Sequence, residues 1–381
     1  MRRLKITAMG QLQSADVQLG DLTVLVGRQA SGKTIFLETL KLVVDVGYIH
    51  SQLSKHGLDW NKDPKQFFDI FLGEGMHHVL SEDTAITVDG KAHSVDTYAR
   101  RRQATKNRVF YIPAQRVITV ANGWPQPFQS YGAQDPYVVR EFSEQFRLLM
   151  DREYSHGGAL FPQTNRLKKA YRDILDEHIF GGFQLNIDVH GARRRLLLRS
   201  PDGKSEIPFM TWSAGQREFV PLLLGLYWLL PASKVSRRDS IEWVVLEELE
   251  AGLHPAAISA VLLIVLELMW RGYKVCLSTH SPHVLDLVWA IRNLKDSNAS
   301  PDKIIDLFGV RKTPQMRNVA ESILKKDLRV HYFDAEKRVT RDISRLDPMS
   351  ADDIESGWGG LTEYSSRIAD VVADVVAENP R

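Results

Sequence analysis

Apolar and polar positions alternate in short bursts over the first two dozen residues, broken at Gly10 and Gly20–Asp21 and ending in the unbroken apolar run Leu22–Val26. Short apolar runs bounded by glycine predict strands, and a continuous run predicts a strand buried on both faces. The period then changes, and Thr34–Val46 places its apolar residues at helical spacing. Strand, glycine-rich turn and helix in succession form the βα unit of an open parallel sheet. Residues 51–108 are mixed and polar, with a strand-like Thr84–Val88, a turn at Asp89–Gly90 and a basic cluster of Arg100, Arg101, Arg102, Lys106 and Arg108; they read as a lid or insertion. Val109–Ile112 is a further strand, stopped by Pro113. Residues 118–135, rich in Gly, Pro and Gln, read as loop, and Pro136–Ile179 as helical with a break at Gly157–Gly158.

Phe183–Val189 and Leu196–Arg199 flank His190-Gly191-Ala192 and the run Arg193–Arg195, which predicts a hairpin with a basic tip. From Ile207 to Leu285 the pattern is helix, strand, helix, strand, so the α/β core resumes after a long excursion. A second hairpin joins Arg329–Phe333 to Val339–Ile343 around Asp334–Arg338, and an acidic helical tail follows. The expected organisation is an α/β lobe over 1–116, a helical insertion with a hairpin over 117–206, a second α/β lobe over 207–290, and a hairpin with a helical tail over 291–381. No internal repeat and no sustained heptads are present, which excludes a long coiled-coil arm.

Composition narrows the class. The 381 residues, 44% hydrophobic and 25% charged, suffice for about two domains of ~150 residues. A net charge of +2 is no polycation, so any nucleic-acid contact must come from local patches. One cysteine, Cys276, excludes an internal disulfide and Cys-rich zinc sites and fits a reducing cytoplasm. The basic N-terminus never reaches the apolar core of a secretion signal. Phe219–Leu230 and Ala256–Trp270, the latter interrupted by Glu267, fall short of the ~20 residues of a membrane span. A cytoplasmic protein without membrane contact is expected.

The candidate chemistry begins at Gly27-Arg28-Gln29-Ala30-Ser31-Gly32-Lys33-Thr34, a full match to G-x-x-x-x-G-K-[ST] between strand and helix. Its glycines let backbone N–H groups and the helix N-terminus surround phosphate oxygens; Lys33 reaches the β/γ-phosphates and the Thr34 hydroxyl ligates Mg2+. Trp243–Leu246 is an apolar strand ending in Glu247 and Glu248. Adjacent acids there need solvent, a metal or a basic partner. Glu247 suits the shell of Mg2+, and Glu248, on the other side of the strand, could poise a water for attack on a γ-phosphate. Lys274–Leu277 leads to His280 at the same sheet edge by a right-handed crossover, and Pro113 turns Gln115 toward it, where an amide can touch Mg2+ or its waters. Ser213 and Gln216 form a capping box, and with Gly215 they make a second helix N-terminus open to an anion. One phosphate chain with two such sites points to a nucleotide held between two protomers.

In order along the chain these residues resemble an ABC-type ATPase head. Gly27–Thr34 resembles its Walker A loop, Gln115 its Q-loop, Ser213–Gln216 its signature motif, Glu247–Glu248 its Walker B pair, Glu250–His254 its D-loop and His280 its switch histidine. The segments YIPAQR, SAGQRE, LEELEAGLHP and LSTHSPHVLDL resemble one branch more closely, the stand-alone ATPases related to overcoming-lysogenisation-defect (OLD) proteins and prokaryotic anti-phage systems. Gln29-Ala30 stands where the family often has Asn-Gly, and Trp212 replaces the usual leucine. The resemblance implies an α/β P-loop fold with a mostly parallel sheet, an antiparallel β subdomain and a helical insertion. It implies ATP and Mg2+ as ligands, hydrolysis by a homodimer or higher homo-oligomer, and control of a separate effector such as a nuclease or toxin. The chain has no DxD pair for the Toprim domain of full OLD nucleases. The clusters Arg100–Arg108 and Arg193–Arg199 make double-stranded DNA a candidate partner. A DNA-repair or recombination-mediator ATPase is the alternative reading. A transporter nucleotide-binding subunit is disfavoured by the long separation of Lys33 from Ser213.

Overall fold

A computed structural model describes residues 1–100, 102–154, 158–190, 193–231 and 237–378. A hairpin of β1 (Arg3–Met9) and β2 (Leu12–Gln18) precedes β3 (Leu22–Val26), which is buried along its whole length as its unbroken apolar run predicts. α1 (Lys33–Lys55) outruns the predicted Thr34–Val46 by continuing through a kink at Asp45, whose φ of −118° is non-helical. There the Asp45 carboxylate accepts the backbone N–H groups of Arg108 and Val109, both at 2.9 Å. A polar residue and Gly47 at the kink break the apolar period that would have signalled the continuation.

The segment 51–108, expected as a lid or insertion, carries two helices and two strands. α2 (Pro64–Leu72) starts on an Asp63 cap and Pro64 and buries Phe67, Phe68 and Phe71 against Trp60. β4 (Leu80–Val88) and β5 (Lys91–Ser94) then extend the main sheet beyond β1. The short α3 (Asp96–Ala99) and β6 (Val109–Ile112) follow. A two-stranded ribbon, β7 (Val120–Ala121) with β8 (Trp124–Pro125), lies in the stretch read as loop. Next comes α4 (Tyr137–Glu153). Within the stretch read as helical, β9 (Gly158–Phe161) is a strand, because its short apolar run pairs with β10 (Gln184–His190) rather than extending α4. Gly157 of the expected break lies outside the described residues. α5 (Lys169–Leu175) runs into a π-turn at Asp176–Phe180. β10, β11 (Arg193–Arg199) and β12 (Glu206–Pro208) complete a second, four-stranded antiparallel sheet, in which Gly191 and Ala192 of the predicted tip lie outside the described residues.

The core resumes with α6 (Ala214–Leu229), β13 (Trp243–Glu247), α7 (Pro255–Trp270), β14 (Lys274–Thr279) and α8 (Pro282–Asp296). α9 (Asp302–Leu307) and α10 (Pro314–Ile323) lead to the predicted hairpin of β15 (Leu328–Asp334) and β16 (Val339–Asp342), then α11 (Asp353–Ser356) and α12 (Glu363–Glu378). The main sheet has ten strands in the order β5-β4-β1-β2-β16-β15-β3-β14-β13-β6. Its centre, β15-β3-β14-β13-β6, is wholly parallel, and the antiparallel strands join the same sheet.

Successive residues of the central strands face opposite layers, as the period of two requires. Val24, Val244, Leu246 and Leu277 meet α6, α7 and α8, while Leu25, Val245 and Cys276 meet α1. The fold is therefore an α/β P-loop architecture, a large mostly parallel sheet flanked by helices with added antiparallel strands. α7 is buried from Ala257 through Met269 apart from Ser259, with Glu267 neutralised inside by Lys168, Arg271 and the Tyr171 hydroxyl. At roughly 1.5–3 kcal/mol for each buried aliphatic side chain against 0–1 for an exposed ion pair, these layers, not the surface charges, hold the helices on the sheet. No described helix is long and apolar enough to cross a membrane.

Candidate functional site

Parallel strands with shared register deliver their carboxyl ends to one edge. Val26 of β3 pairs with Thr279 of β14, Ser278 with Glu247 of β13, and Leu246 with Ile112 of β6. Gly27–Thr34, Gln115, Glu247, Glu248 and His280 therefore leave the sheet together, where open α/β sheets bind ligands.

The loop after β3 needs glycine at two points. A Cβ on Gly27 would lie 2.5 Å from the Phe333 carbonyl oxygen, and one on Gly32, at φ 95°, would lie 2.6 Å from Leu12. Lys33 folds back into the loop and donates to the carbonyls of Gly27 and Arg28, each at 2.8 Å, and to the Ser31 hydroxyl at 3.3 Å. Burial lowers its pKa to about 8 against the opposing pull of Glu248, Glu250 and Glu247. Arg28 reaches outward to Glu336 at 3.3 Å, and Gln29, Ala30 and Thr34 are exposed on the open side.

Glu247 is buried, and burial raises its pKa. One carboxylate oxygen accepts the Ala114 N–H at 3.2 Å. Thr34 and Tyr111 lie against the carboxylate, yet among the described residues its second oxygen and the Tyr111 hydroxyl complete no hydrogen bond. Such an orphaned oxygen is expensive, and a hard cation bridging it to the Thr34 hydroxyl would satisfy it. The oxygen-only donor set of Thr34, Gln115 and Glu247 suits Mg2+ with its retained waters. Glu38 of α1 is wholly buried nearby, and burial together with Glu247 holds its pKa well above the usual carboxylate range.

Glu248 sits in the left-handed region at φ 43°, a strained conformation for a non-glycine residue, which turns its carboxylate toward the open edge. Its oxygen is 3.6 Å from His280 Nε2. Burial first, then the Lys33 charge, lowers the His280 pKa, while Glu248 and Glu250 oppose the shift. The histidine is held by its backbone, since Glu250 accepts from the His280 N–H at 2.5 Å and the Thr279 hydroxyl at 2.9 Å. Gln115 is exposed at the end of β6, beside Ala114.

Ser213 caps α6 as the S-x-x-Q pattern predicts, accepting from the Gln216 N–H at 3.2 Å, while the Gln216 side chain accepts from the Ser213 N–H. Gln216 also donates to the Ile179 carbonyl at 3.3 Å, and a Cβ on Gly215 would lie 2.7 Å from the Gly252 carbonyl oxygen. These hydrogen bonds run to one another and to the π-turn, and among the described residues none runs to Gly27–Thr34. The structure thus gathers Gly27–Thr34, Gln115, Glu247, Glu248 and His280 on one edge, and the α6 turn packs beside them against the Gly252 turn that follows Glu248.

Two roles escaped sequence reading. Arg116 is wholly buried at the centre of the site, and Glu250 sets the His280 backbone. Both depend on carbonyl and amide partners far apart in the chain, for which no local pattern exists. The basic clusters also look different in three dimensions. Arg194, Arg195 and Arg199 pair with Asp151, Asp188 and Glu206, and Arg108 pairs with Glu242. The Arg193 side chain and all of Arg101 lie outside the described residues.

Comparison with solved structures finds heads of SMC proteins. One, bound to the C-winged helix domain of ScpA, has 10% identity and a TM-score of 0.40 over 75% of this chain and 90% of that one. The SMC head domain from Thermotoga maritima has 12% identity and a TM-score of 0.28 over 75% and 92%. An Smc head with an extended coiled coil, bound to the C-terminal domain of ScpA derived from Pyrococcus furiosus, has 9% identity and a TM-score of 0.39 over 90% and 95%. No curated protein sequence matches the chain. A family model described as "AAA domain, putative AbiEii toxin, Type IV TA system" matches residues 83–286, which hold Gln115, Ser213–Gln216, Glu247, Glu248 and His280. That span is more than half of the chain, and the protein belongs to this AAA ATPase-domain family.

Proposed function

We propose that the protein binds and hydrolyses ATP with Mg2+ between two copies of the chain and uses that cycle to control a separate effector, a nuclease or toxin, in prokaryotic anti-phage defence. The observation that carries the ATPase reading is the convergence of Lys33, Thr34, Glu247, Glu248 and His280 on one sheet edge. Gly27–Thr34 would wrap the phosphates, with the Lys33 ammonium turning from its own carbonyls to the β/γ oxygens. Thr34, Glu247 and Gln115 would hold Mg2+, whose charge offsets the repulsion between a triphosphate and the surrounding carboxylates. Glu248 would accept the proton of the attacking water, and His280, close to Glu248, would contact the γ-phosphate oxygens. Ser213, Gly215 and Gln216 would close the pocket of the second copy with the N-terminus of α6. The toxin named in the family's description and the resemblance to OLD-related ATPases support the defence role. Duplex DNA as a partner has less support, because four arginines of the basic clusters are already in ion pairs with carboxylates.

Two substitutions test the reading. Lys33→Ala should abolish ATP binding, measured by calorimetry. Glu248→Gln should bind ATP normally but turn over ~10²–10⁴-fold more slowly. Unchanged affinity in the first or full turnover in the second would refute the assignment.

A further inference from the structure

Arg116 follows Gln115 directly, and its side chain has no exposed surface. Its guanidinium donates from Nε to the Glu218 carbonyl at 3.0 Å, from Nη1 to the carbonyls of Glu247 at 3.1 Å and Pro113 at 3.4 Å, and from Nη2 to the Glu248 carbonyl at 3.2 Å. The Glu218 carboxylate is 3.5 Å from Nε. A buried guanidinium costs several kcal/mol to desolvate unless its donors are satisfied, and here they are satisfied chiefly by main-chain carbonyls from three separated segments. Those segments are the turn after β6, the end of β13 and the start of α6. Glu218 lies in the second turn of α6, just after the Ser213–Gln216 box, and that first turn rests on the Gly252 turn beyond Glu248. The carbonyl that Nη2 holds belongs to the left-handed Glu248, where the strain of ~1–2 kcal/mol must be offset by contacts of this kind.

We propose that Arg116 is a positioning residue that locks the start of α6, with Ser213, Gly215 and Gln216, to the carboxyl end of β13, so that Glu248 and the turn offered to a second copy move as one body. The proposal rests on the ATPase reading above. It adds a direct route by which the state of the pocket, felt at Gln115 and Glu248, sets the presentation of α6 to its partner. Arginine is required because its planar fork reaches several carbonyls at once, whereas a lysine ammonium is a single point donor.

Arg116→Lys keeps the cation and the apolar stem and loses the fork. The folded variant should bind ATP within a few-fold of wild type, with little change in KM, while kcat falls ~10²-fold, the scale of a misplaced catalytic group. ATP-dependent dimerisation, followed by sedimentation with a non-hydrolysable analogue, should weaken in parallel. Wild-type kcat and dimerisation in folded Arg116→Lys would overturn the proposal, as would a rise in KM with kcat kept. Should Arg116→Lys not fold, Arg116→Gln, which keeps two N–H donors but not the fork, should lower kcat in the same way; wild-type kcat there would overturn it equally. If the wild-type protein neither binds nor hydrolyses ATP, the ATPase reading falls and this inference with it. If wild type and Lys33→Ala behave as expected and Arg116→Lys keeps full activity, this inference alone falls.

Discussion

Ala30 holds a left-handed turn, φ 57°, at the exposed apex of the phosphate loop. A Cβ in that region costs ~1–2 kcal/mol, whereas glycine gives back only about 0.5–1 through the extra freedom of its unfolded chain. Ala30→Gly should therefore stabilise the protein by roughly 0.5–1 kcal/mol, read as a higher urea midpoint at unchanged slope. The tight turn at Gly27–Thr34 was legible from its glycines and its place between strand and helix, because such a turn is local and set by spacing. The strain at Ala30 and Glu248 was not, since a backbone dihedral depends on what the rest of the fold imposes. Arg116 was harder still, because nothing near it in the chain announces that its partners are carbonyls of Glu218, Glu247 and Glu248.

α1 carries the phosphate loop, and its anchorage is a buried charge cluster. Lys41 Nζ donates to Asp45 at 2.9 Å, Glu141 of α4 at 3.0 Å, Asn107 at 3.0 Å and the Val109 carbonyl of β6 at 2.7 Å. Burial, opposed by Lys41, raises the Glu141 pKa to about 7. Lys41→Met would strand two buried carboxylates and should cost roughly 3–5 kcal/mol in equilibrium unfolding. The apolar period of α1 shows a helix but not this cross-link, because Lys41 and Asp45 read as ordinary surface residues until α4 and β6 close over them. At the other side of the sheet His331 joins β15 to β2, its Nε2–H donating to the Gln18 carbonyl at 3.0 Å while Nδ1 has no partner among the described residues. Burial lowers its pKa, the Arg329 charge adds to the shift, and Asp342, Asp16 and the Gln18 carbonyl oppose it. The unfolded chain thus binds the proton first as pH falls below ~6.5, so stability present at neutral pH is lost on acidification. His331→Gln, which keeps a donor for Gln18, should reduce the slope of unfolding free energy against pH between about 7 and 5 by up to one proton.

At the scale of the whole molecule, the proposed arrangement makes the sheet edge of one copy and the α6 turn of a second copy parts of one pocket. The central strands were legible as apolar runs ending in candidate site residues, because burial on both faces demands an unbroken apolar run. β4, β5 and β9 were not, because short polar or glycine-bearing runs become strands only by pairing with an edge already present. No single-chain pattern can show how copies pair, so the shared pocket needs its own test. Ser213→Arg spoils what a protomer offers its partner and leaves its own Glu248 intact, and Glu248→Gln does the reverse. Each variant alone should be nearly inactive. In a mixed dimer one pocket combines the intact Glu248 of the first protomer with the intact Ser213 of the second, and the other pocket carries both defects. Random pairing at equal amounts should then restore about a quarter of wild-type turnover, since half the dimers are mixed and each has one good site of two. If Ser213 served the pocket of its own chain, every pocket in the mixture would carry one defect, and the activity of the mixture would stay at the mean of the two variants.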